Sequence, residues 1–327
     1  MAGFFQNQPF TLIGIALILT SLIWNQKSDA VEHPMKIDSH NSRRATYFWN
    51  DDLISHFFWF NIGTGEHGSN KPTGLFYTET ATLHNISLKH PINISGLKIR
   101  NVILTNAGSI YSNDDKHEMN LCPVKINTTG NPSIIQYLNF RGHLIVQWEI
   151  QPFLYHKYHY DEELKMQVHV LSNGIILFLY KKIPFGSLRN FRKKFDNFYK
   201  DDFGVIFSDK LPDGREVLLS SLFSFDEIDV VDNSAVVFND LPFCPNYRTC
   251  ENCTAAKIKM EDTGETIPCV WCPEIKRCSS KKDYLRDYWL GNDCKNHEIP
   301  NPLRCPKEKG PAEEAKKKTK EFVADEL

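Results

Sequence analysis

The chain has 327 residues, of which 41% are hydrophobic and 12% aromatic, enough apolar material for one large domain and a smaller one. Its formal net charge is -2 at pH 7, and its basic residues are scattered rather than gathered in one stripe. This excludes a general attraction to nucleic acid or anionic lipid, so we expect no nucleic-acid partner.

An uncharged apolar run, FTLIGIALILTSLIW, covers residues 10–24 and indicates an export signal within residues 1–30. The run is shorter than the roughly 20 residues that a membrane-spanning helix needs. We therefore expect a cleaved signal peptide, with Ser28 and Ala30 at the small-residue cleavage positions. Residues 1–9 contain no Lys or Arg, which leaves a retained membrane anchor as the alternative. Both interpretations place the rest of the chain in the lumen of the secretory pathway.

Residues 31–45 are polar and predict a linker ahead of a β-rich domain over residues 46–241. In LKMQVHVLSNGIILFLY, an alternating strand, a turn at Asn173 and Gly174 and an apolar strand predict a hairpin. Further strands are predicted in SGLKIRNVILTNAGSIY, HLIVQWEIQ and REVLLSSLFSF, which are bounded by Gly, Pro, Asn or Asp. This spacing predicts a mainly β fold with an antiparallel sandwich or barrel.

Four N-glycosylation sequons agree with passage through the lumen. They begin at Asn85, Asn93, Asn127 and Asn252. Asn252 is the weakest of the four as an acceptor, because Cys253 in the middle of its sequon is available for a disulfide.

Three stretches match the sequence patterns of binding motifs but lack the structural context that those motifs require. GTGEHG, residues 63–68, matches a dinucleotide-binding glycine motif, but Pro72 prevents the helix that would bind the pyrophosphate. His156 and His159 lack a partner carboxylate on a helix, and DEIDVVDN, residues 226–233, lacks the glycine and spacing of an EF-hand loop. We expect loops or solvated surface there, with no metal site and no cofactor.

The densest basic stretch is RNFRKKF, residues 189–195, which predicts a solvated loop, with an anionic contact surface as the alternative. Cys122 is expected to be either a small buried residue or a free thiol able to form a mixed disulfide with another lumenal protein. No Ser-His-Asp order, nucleophile elbow or acid pair in a defined cleft can be identified. We therefore expect no catalytic residues and no small-molecule substrate.

The other eight cysteines lie between residues 244 and 305 and predict a small disulfide-rich domain over residues 242–306. Two CxxC pairs match the spacing of a zinc ribbon, and CVWC alone matches a thioredoxin-type redox motif. The signal segment, the sequons and the four additional cysteines indicate an oxidising compartment, which favours structural disulfides over both alternatives. Spacing alone leaves the connectivity open.

The cysteine-rich stretch also resembles a known domain. CENC, CVWC and KRCSSKKDYLRDYWLGNDC resemble a plexin-semaphorin-integrin (PSI) domain. Upstream, NAGSIYSNDD, LIVQWEI, MQVHVLSNGIILFLYKKIP, GVIFSD and VDNSAVVFNDLPFC resemble, in this order, segments of the plexin domain-containing protein family, which is related to tumour endothelial marker proteins. The similarity runs from about residue 47 to residue 305.

The resemblance implies an interlocked set of four disulfides. The implied pairs are Cys244 with Cys269, Cys250 with Cys305, Cys253 with Cys278, and Cys272 with Cys294. It also implies that Trp271 packs against the bridges and that Trp289 completes the small core. The function that it implies is binding of another protein, with the PSI domain orienting the neighbouring β domain.

Residues 307–327 are charged and poor in apolar residues, which predicts a flexible tail. Family members are similar to type I cell-surface receptors with a membrane helix after the PSI domain, whereas no apolar run follows Cys305 in this sequence. Its last four residues resemble the KDEL class of signals, which a retrieval receptor reads to return lumenal proteins. These residues are Ala324, Asp325, Glu326 and Leu327.

We therefore expect a glycosylated, non-enzymatic protein of the endoplasmic reticulum lumen that assists the maturation or retention of exported partners. The expected partners are the retrieval receptor and a protein client that the sequence does not identify. The main alternative is an extracellular or membrane-anchored adhesion or receptor-like protein. Lumenal thiol-disulfide exchange through CVWC or Cys122 is a third hypothesis.

Overall fold

A computed structural model describes residues 32–37, 43–48, 58–62, 74–78, 83–113, 117–126, 133–151, 163–194, 203–211, 213–223, 229–259 and 264–306. Two large antiparallel sheets face each other across one hydrophobic core, and four disulfides lie in the last part of the described chain. The predicted mainly β fold with a disulfide-rich C-terminal region is confirmed. Among the described residues, no helix is both long and apolar enough to span a bilayer.

The larger sheet has eight strands. In spatial order they are β1 (Glu32–Ile37), β2 (Arg43–Phe48), β14 (Ser234–Asp240), β11 (Ile176–Lys182), β10 (Leu164–Val170), β9 (His143–Ile150), β8 (Ser133–Phe140) and β3 (Gly74–Thr78). The predicted hairpin of β10 and β11 is present, but its loop has three residues instead of two, because Leu171 pairs with Ile175. Gly174 closes this loop at a φ of 89°, a left-handed conformation that glycine adopts without strain.

The smaller sheet has six strands. In spatial order they are β13 (Glu216–Phe223), β12 (Phe203–Lys210), β7 (His117–Cys122), β6 (Ile110–Asn113), β5 (Leu97–Thr105) and β4 (Leu83–Ile94). Alternate residues of each strand point into the shared core, as the period of two requires. Trp148 of β9 is fully buried there and donates its Nε1 proton to the carbonyl oxygen of Thr105, 2.8 Å away.

The β domain begins earlier than the sequence indicates, since β1 and the first three residues of β2 lie in the stretch that was expected to be a linker, residues 31–45. That polar stretch contains a charged side chain that is buried in the fold. Arg43 is 2% exposed and donates from Nε and Nη2 to Asp240 of β14, at 2.9 and 2.7 Å. Its Nη2 also donates to Ser95 in the β4–β5 turn, so one guanidinium group joins the two sheets.

Residues 58–62 cover part of the outer face of the eight-stranded sheet. Gln167 accepts a hydrogen bond from the backbone nitrogen of Phe60 and donates to its carbonyl oxygen, at 3.1 and 2.7 Å. A buried ladder continues from Gln167 to Gln147 and from Gln147 to Gln136. Burial lowers the pKa of the neighbouring His169 to about 3, so this ring is neutral at physiological pH. This sheet face is therefore already occupied by the chain's own backbone.

The remaining elements are short. They are α1 (Leu188–Lys194), α2 (Cys250–Ala255), β15 (Lys257–Lys259), β16 (Thr266–Pro268), β17 (Val270–Cys272), β18 (Arg277–Ser279), α3 (Arg286–Gly291) and α4 (Cys294–His297), with 3-10 turns at Pro184–Gly186, Cys244–Asn246 and Pro302–Arg304. All of them after β14 belong to the disulfide module, which we define as residues 244–305.

Candidate functional site

Four disulfides replace an extended apolar core in the disulfide module. They join Cys244 to Cys269, Cys250 to Cys305, Cys253 to Cys278, and Cys272 to Cys294, which are the pairs that the resemblance implies. The predicted disulfide framework is confirmed. Cys269 and Cys272 are bonded to distant partners rather than to each other, so their sulfurs form neither a CxxC redox pair nor thiolate ligands for zinc.

Two tryptophans fill the spaces between the bridges. Trp271 packs in one apolar cluster with Cys244, Cys269 and Cys278. Trp289 packs in a second cluster with Cys272 and Cys294. This second cluster also contains Leu211, which follows β12 of the sandwich, so the core of the module continues into the β domain.

A buried carboxylate lies at the junction between the sandwich and the module. Asp209, near the end of β12, is 0% exposed and lies 3.3 Å from Nδ1 of His117 on β7. From the module, Tyr284 donates its hydroxyl proton to Asp209 Oδ2 at 2.8 Å. The guanidinium groups of Arg248 and Arg277 lie 3.5 and 3.7 Å from the same carboxylate.

The charge of Asp209 is stabilised by these partners. Burial alone raises the pKa of its carboxyl group. The contact with His117, the two guanidinium groups and the Tyr284 hydroxyl outweigh burial and hold the pKa at about 2. Burial and the negative charge of Asp209 raise the pKa of Tyr284, so its hydroxyl stays protonated and remains a donor.

A second close contact fixes the orientation of the module. Gly96 in the β4–β5 turn has a φ of 78°, and a Cβ there would lie 2.0 Å from the carbonyl oxygen of Asn246. Only glycine permits this approach of the turn to the module. Together with Asp209, the contact attaches the module to the end of the sandwich at two separate points.

The outer face of the six-stranded sheet carries exposed apolar side chains on both of its edge strands. Leu83 on β4 is 69% exposed and Leu218 on β13 is 52% exposed. A row of residues in register crosses this side of the sheet between them. From here on, "the outer face" means this row together with Leu83, Leu218 and Leu222. The row contains Asn85, Ile103, Tyr111, Asn120, Ile206 and Ser220.

The apolar members of this row are only partly buried. Ile103, Tyr111 and Ile206 alternate along their strands with core residues, so their side chains point away from the core. Exposed apolar side chains grouped on one face of a sheet are typical of protein interaction sites. We therefore take the outer face as the candidate functional site.

A shallow cleft of about 450 Å³ at the junction is a weaker candidate. Asp213, Arg215, Asp287 and Tyr288 are among its lining residues. Asp213 and Arg215 pair with each other at 2.8 Å, and the Arg215 guanidinium lies over the Tyr288 ring. Asp213, Arg215 and Tyr288 thus interact with one another and are not aligned for proton transfer or nucleophilic attack.

The sequons occupy different environments. Asn85 and Asn93 are exposed on β4, which forms one edge of its sheet. Asn252 is exposed on α2, but the next two residues of its sequon are buried, since Cys253 is in a disulfide and Thr254 donates to the carbonyl oxygen of Cys250. Asn127 lies outside the described residues.

The basic stretch is a helix where a loop was expected. Residues 188–194 form α1, whose Phe191 is buried in the sandwich core, and Arg189 lies 3.9 Å from Asp229. In DEIDVVDN, the structure describes residues 229–233, and one of them stabilises the fold by a hydrogen bond. Asp232 accepts a hydrogen bond from the backbone nitrogen of Ile183 at 2.6 Å.

Cys122 is buried and accepts a 3.5 Å hydrogen bond from Ser109. Several other predicted features lie outside the described residues. These are the export signal in residues 1–30, GTGEHG at residues 63–68, His156, His159 and the terminal residues 324–327.

Sequence reasoning missed the junction. Asp209 stands near the end of the apolar strand GVIFSD, and an acid that directly follows a buried strand was a signal that could have been noticed. Its partners are too far along the chain to be found by local pattern, since Tyr284 is 75 residues away.

No protein-family model matches this chain, and no solved structure matches it. The likeness to plexin domain-containing proteins and to PSI domains therefore rests on the quoted sequence segments.

Proposed function

We propose that this chain is a non-enzymatic protein of the endoplasmic reticulum lumen that binds other exported proteins through the outer face. The observation that carries the proposal is the row of residues between Leu83 and Leu218, whose partly exposed apolar members lie among polar side chains. Apolar and aromatic residues of this type form the centre of protein interfaces, where they exclude water.

The disulfide module has a supporting role in this proposal. Asp209 and Gly96 attach it to the end of the sandwich at two points, which restricts its orientation relative to the β domain. A preorganised surface loses less conformational entropy on binding than a flexible one, which raises affinity without additional contacts. This role agrees with the orienting function that the resemblance to PSI domains implies.

Three features support the lumenal location. Four disulfides persist only where the surroundings are oxidising. The sequons at Asn85, Asn93 and Asn252 lie on exposed residues that have room for a glycan. The ADEL sequence at residues 324–327 resembles a retrieval signal, which favours retention over secretion as the fate of the protein.

Deleting residues 324–327 is expected to release the protein from the cell. The full chain should retain endoglycosidase-H-sensitive glycans inside cells, whereas the shortened chain should appear in the medium with matured glycans, because it no longer binds the retrieval receptor. The matched control is Ala324→Lys, which restores the common KDEL ending and should remain inside. Equal secretion of the full and the shortened chain would make the protein an extracellular binding protein, and membrane attachment of both would identify residues 10–24 as an anchor.

Leu218→Lys is expected to reduce client binding by about tenfold or more, because it replaces an exposed apolar side chain of the outer face with a charge. Lysine at an exposed position of an edge strand should change the stability by about 0.5 kcal/mol or less. The control is Leu290→Lys, since Leu290 is similarly exposed, at 56%, but lies on α3 of the disulfide module. The measurement compares the lumenal proteins cross-linked to each form in living cells. Equal losses for both variants would exclude the outer face as the contact surface.

A further inference from the structure

The two described sequons of β4 face different neighbours on the adjacent strand. Asn85 is in register with Ile103 of β5, and Ile103 is in register with Tyr111 of β6. Asn93, on the far side of an irregularity in the pairing, is in register with Lys98. A glycan on Asn85 therefore starts beside Ile103 and Tyr111, whereas a glycan on Asn93 starts beside a charged side chain.

The direction of the Asn85 side chain follows from its neighbours. Ile86 and Leu88 are buried in the core, so the residues that alternate with them, Asn85 and Ser87, point outward. Strands lie about 4.8 Å apart, which places Ile103 about 5 Å and Tyr111 about 10 Å across the face from Asn85. The first sugars of an N-glycan can reach across this distance.

From this geometry we propose that the N-glycan of Asn85 is a built-in cover for the β4–β6 half of the outer face. The apolar faces of its first N-acetylglucosamine rings pack on Ile103 and on the ring of Tyr111, as amphipathic rings do on aromatic side chains. The inference deepens the proposed function, on which it rests, because glycosylation requires entry into the lumen.

The cover has two consequences for binding. It shields β4, which is an edge strand among the described residues, from pairing with another chain. It also confines protein contact to the opposite half of the outer face, where Ile206, Leu218 and Leu222 remain uncovered. The client thus binds over β12 and β13, with the glycan as its boundary.

The test uses the full chain produced in a secretory cell and compares Asn85→Gln with Asn93→Gln. Each variant loses one sequon of the same strand, which makes the second a matched control for the loss of a glycan in general. We expect Asn85→Gln to increase the fluorescence of a hydrophobic dye several-fold and to self-associate, and Asn93→Gln to behave like the unaltered protein. Adding Ile103→Thr and Tyr111→Thr to Asn85→Gln should return the fluorescence to its starting level, since these replacements remove the exposed apolar groups and keep strand-forming side chains.

Site occupancy, measured by mass spectrometry of glycopeptides, separates the outcomes. An unglycosylated Asn85 beside a glycosylated Asn93 overturns the glycan cover and leaves the lumenal function standing. An absence of glycan from every sequon contradicts the lumenal function itself. Where Asn85→Gln fails to fold, enzymatic removal of the glycan from folded Asn93→Gln protein gives the same comparison, and unchanged dye fluorescence after removal overturns the proposal.

Discussion

Asp209→Asn is expected to lower the free energy of unfolding by about 3 kcal/mol and to loosen the disulfide module from the sandwich. The substitution keeps the size of the side chain but removes the one negative charge that faces both Arg248 and Arg277. A buried ion pair that loses one partner leaves the other charge desolvated without compensation, which typically costs about 3 to 5 kcal/mol. We use the lower end because the two guanidinium groups retain some contact with solvent.

The measurement is denaturant-induced unfolding combined with limited proteolysis between the sandwich and the module. Asp213→Asn is the matched control, because Asp213 is an exposed aspartate that pairs only with a neighbouring exposed arginine, Arg215. It should leave the stability nearly unchanged, because an exposed ion pair contributes little to folding. Equal stability of the two variants, with unchanged protease resistance, would show that the junction does not depend on the buried charge.

The pH dependence of stability identifies the carboxylate directly. Its pKa is about 2 in the folded protein and near 3.8 when it is unperturbed. A group with a lowered folded pKa stabilises the fold at pH values above its unfolded pKa, and this stabilisation is lost as the pH falls through the folded pKa. The unaltered protein should therefore lose about 2 kcal/mol from this group between about pH 4 and pH 2, a component that Asp209→Asn lacks.

The sheet structure was predictable because it depends on local pattern. Alternation in LKMQVHV and the turn residues Asn173 and Gly174 place β10 and β11 next to each other whatever the rest of the chain does. The extent of the disulfide module was likewise visible in the distribution of cysteines. Their pairing was not visible from spacing, and it entered only through the resemblance to PSI domains.

The start of β2 was mistaken for part of a linker because the burial of Arg43 depends on a distant residue. Arg43 would be unfavourable inside a sheet by itself, and it is buried only because Asp240, 197 residues later, accepts its hydrogen bonds. The covering of the eight-stranded sheet was missed for the same reason, because it also depends on a residue far away in the sequence. Gln167 reads as a solvent-facing residue of an alternating strand, yet Phe60, 107 residues earlier, pairs with its side chain.

The candidate site, too, could be predicted from the sequence only in part. Alternation in β5 and β6 separates Ile103 and Tyr111 from the core residues beside them, so a two-faced strand is predictable. The covering of the eight-stranded sheet depends on where residues 58–62 pack, and no local pattern determines that. The candidate surface could therefore be expected on the β domain, through the orienting role that the resemblance to PSI domains implies, but not on a particular sheet.

Removing the Cys272–Cys294 disulfide is expected to damage the junction as well as the module. Both cysteines are fully buried in the cluster that includes Trp289 and Leu211. Replacing both with Ala removes the cross-link and two apolar sulfur atoms, and the free energy of unfolding should fall by about 4 kcal/mol. The comparison is the double Ala replacement of Cys250 and Cys305.

The Cys250–Cys305 bridge spans 55 residues, against 22 for Cys272–Cys294, so loop entropy alone would make it the more stabilising of the two. Packing predicts the opposite order, because Cys305 is partly exposed and lies away from the sandwich contact. The two bridges are distinguished by the loss of stability at low pH that the protonation of Asp209 causes, measured in both disulfide variants. It should persist without Cys250–Cys305 and disappear without Cys272–Cys294, since only the latter bridge belongs to the cluster that holds Leu211 against the module. Persistence in both variants would mean that Asp209 and its partners hold the module in place independently of the disulfides.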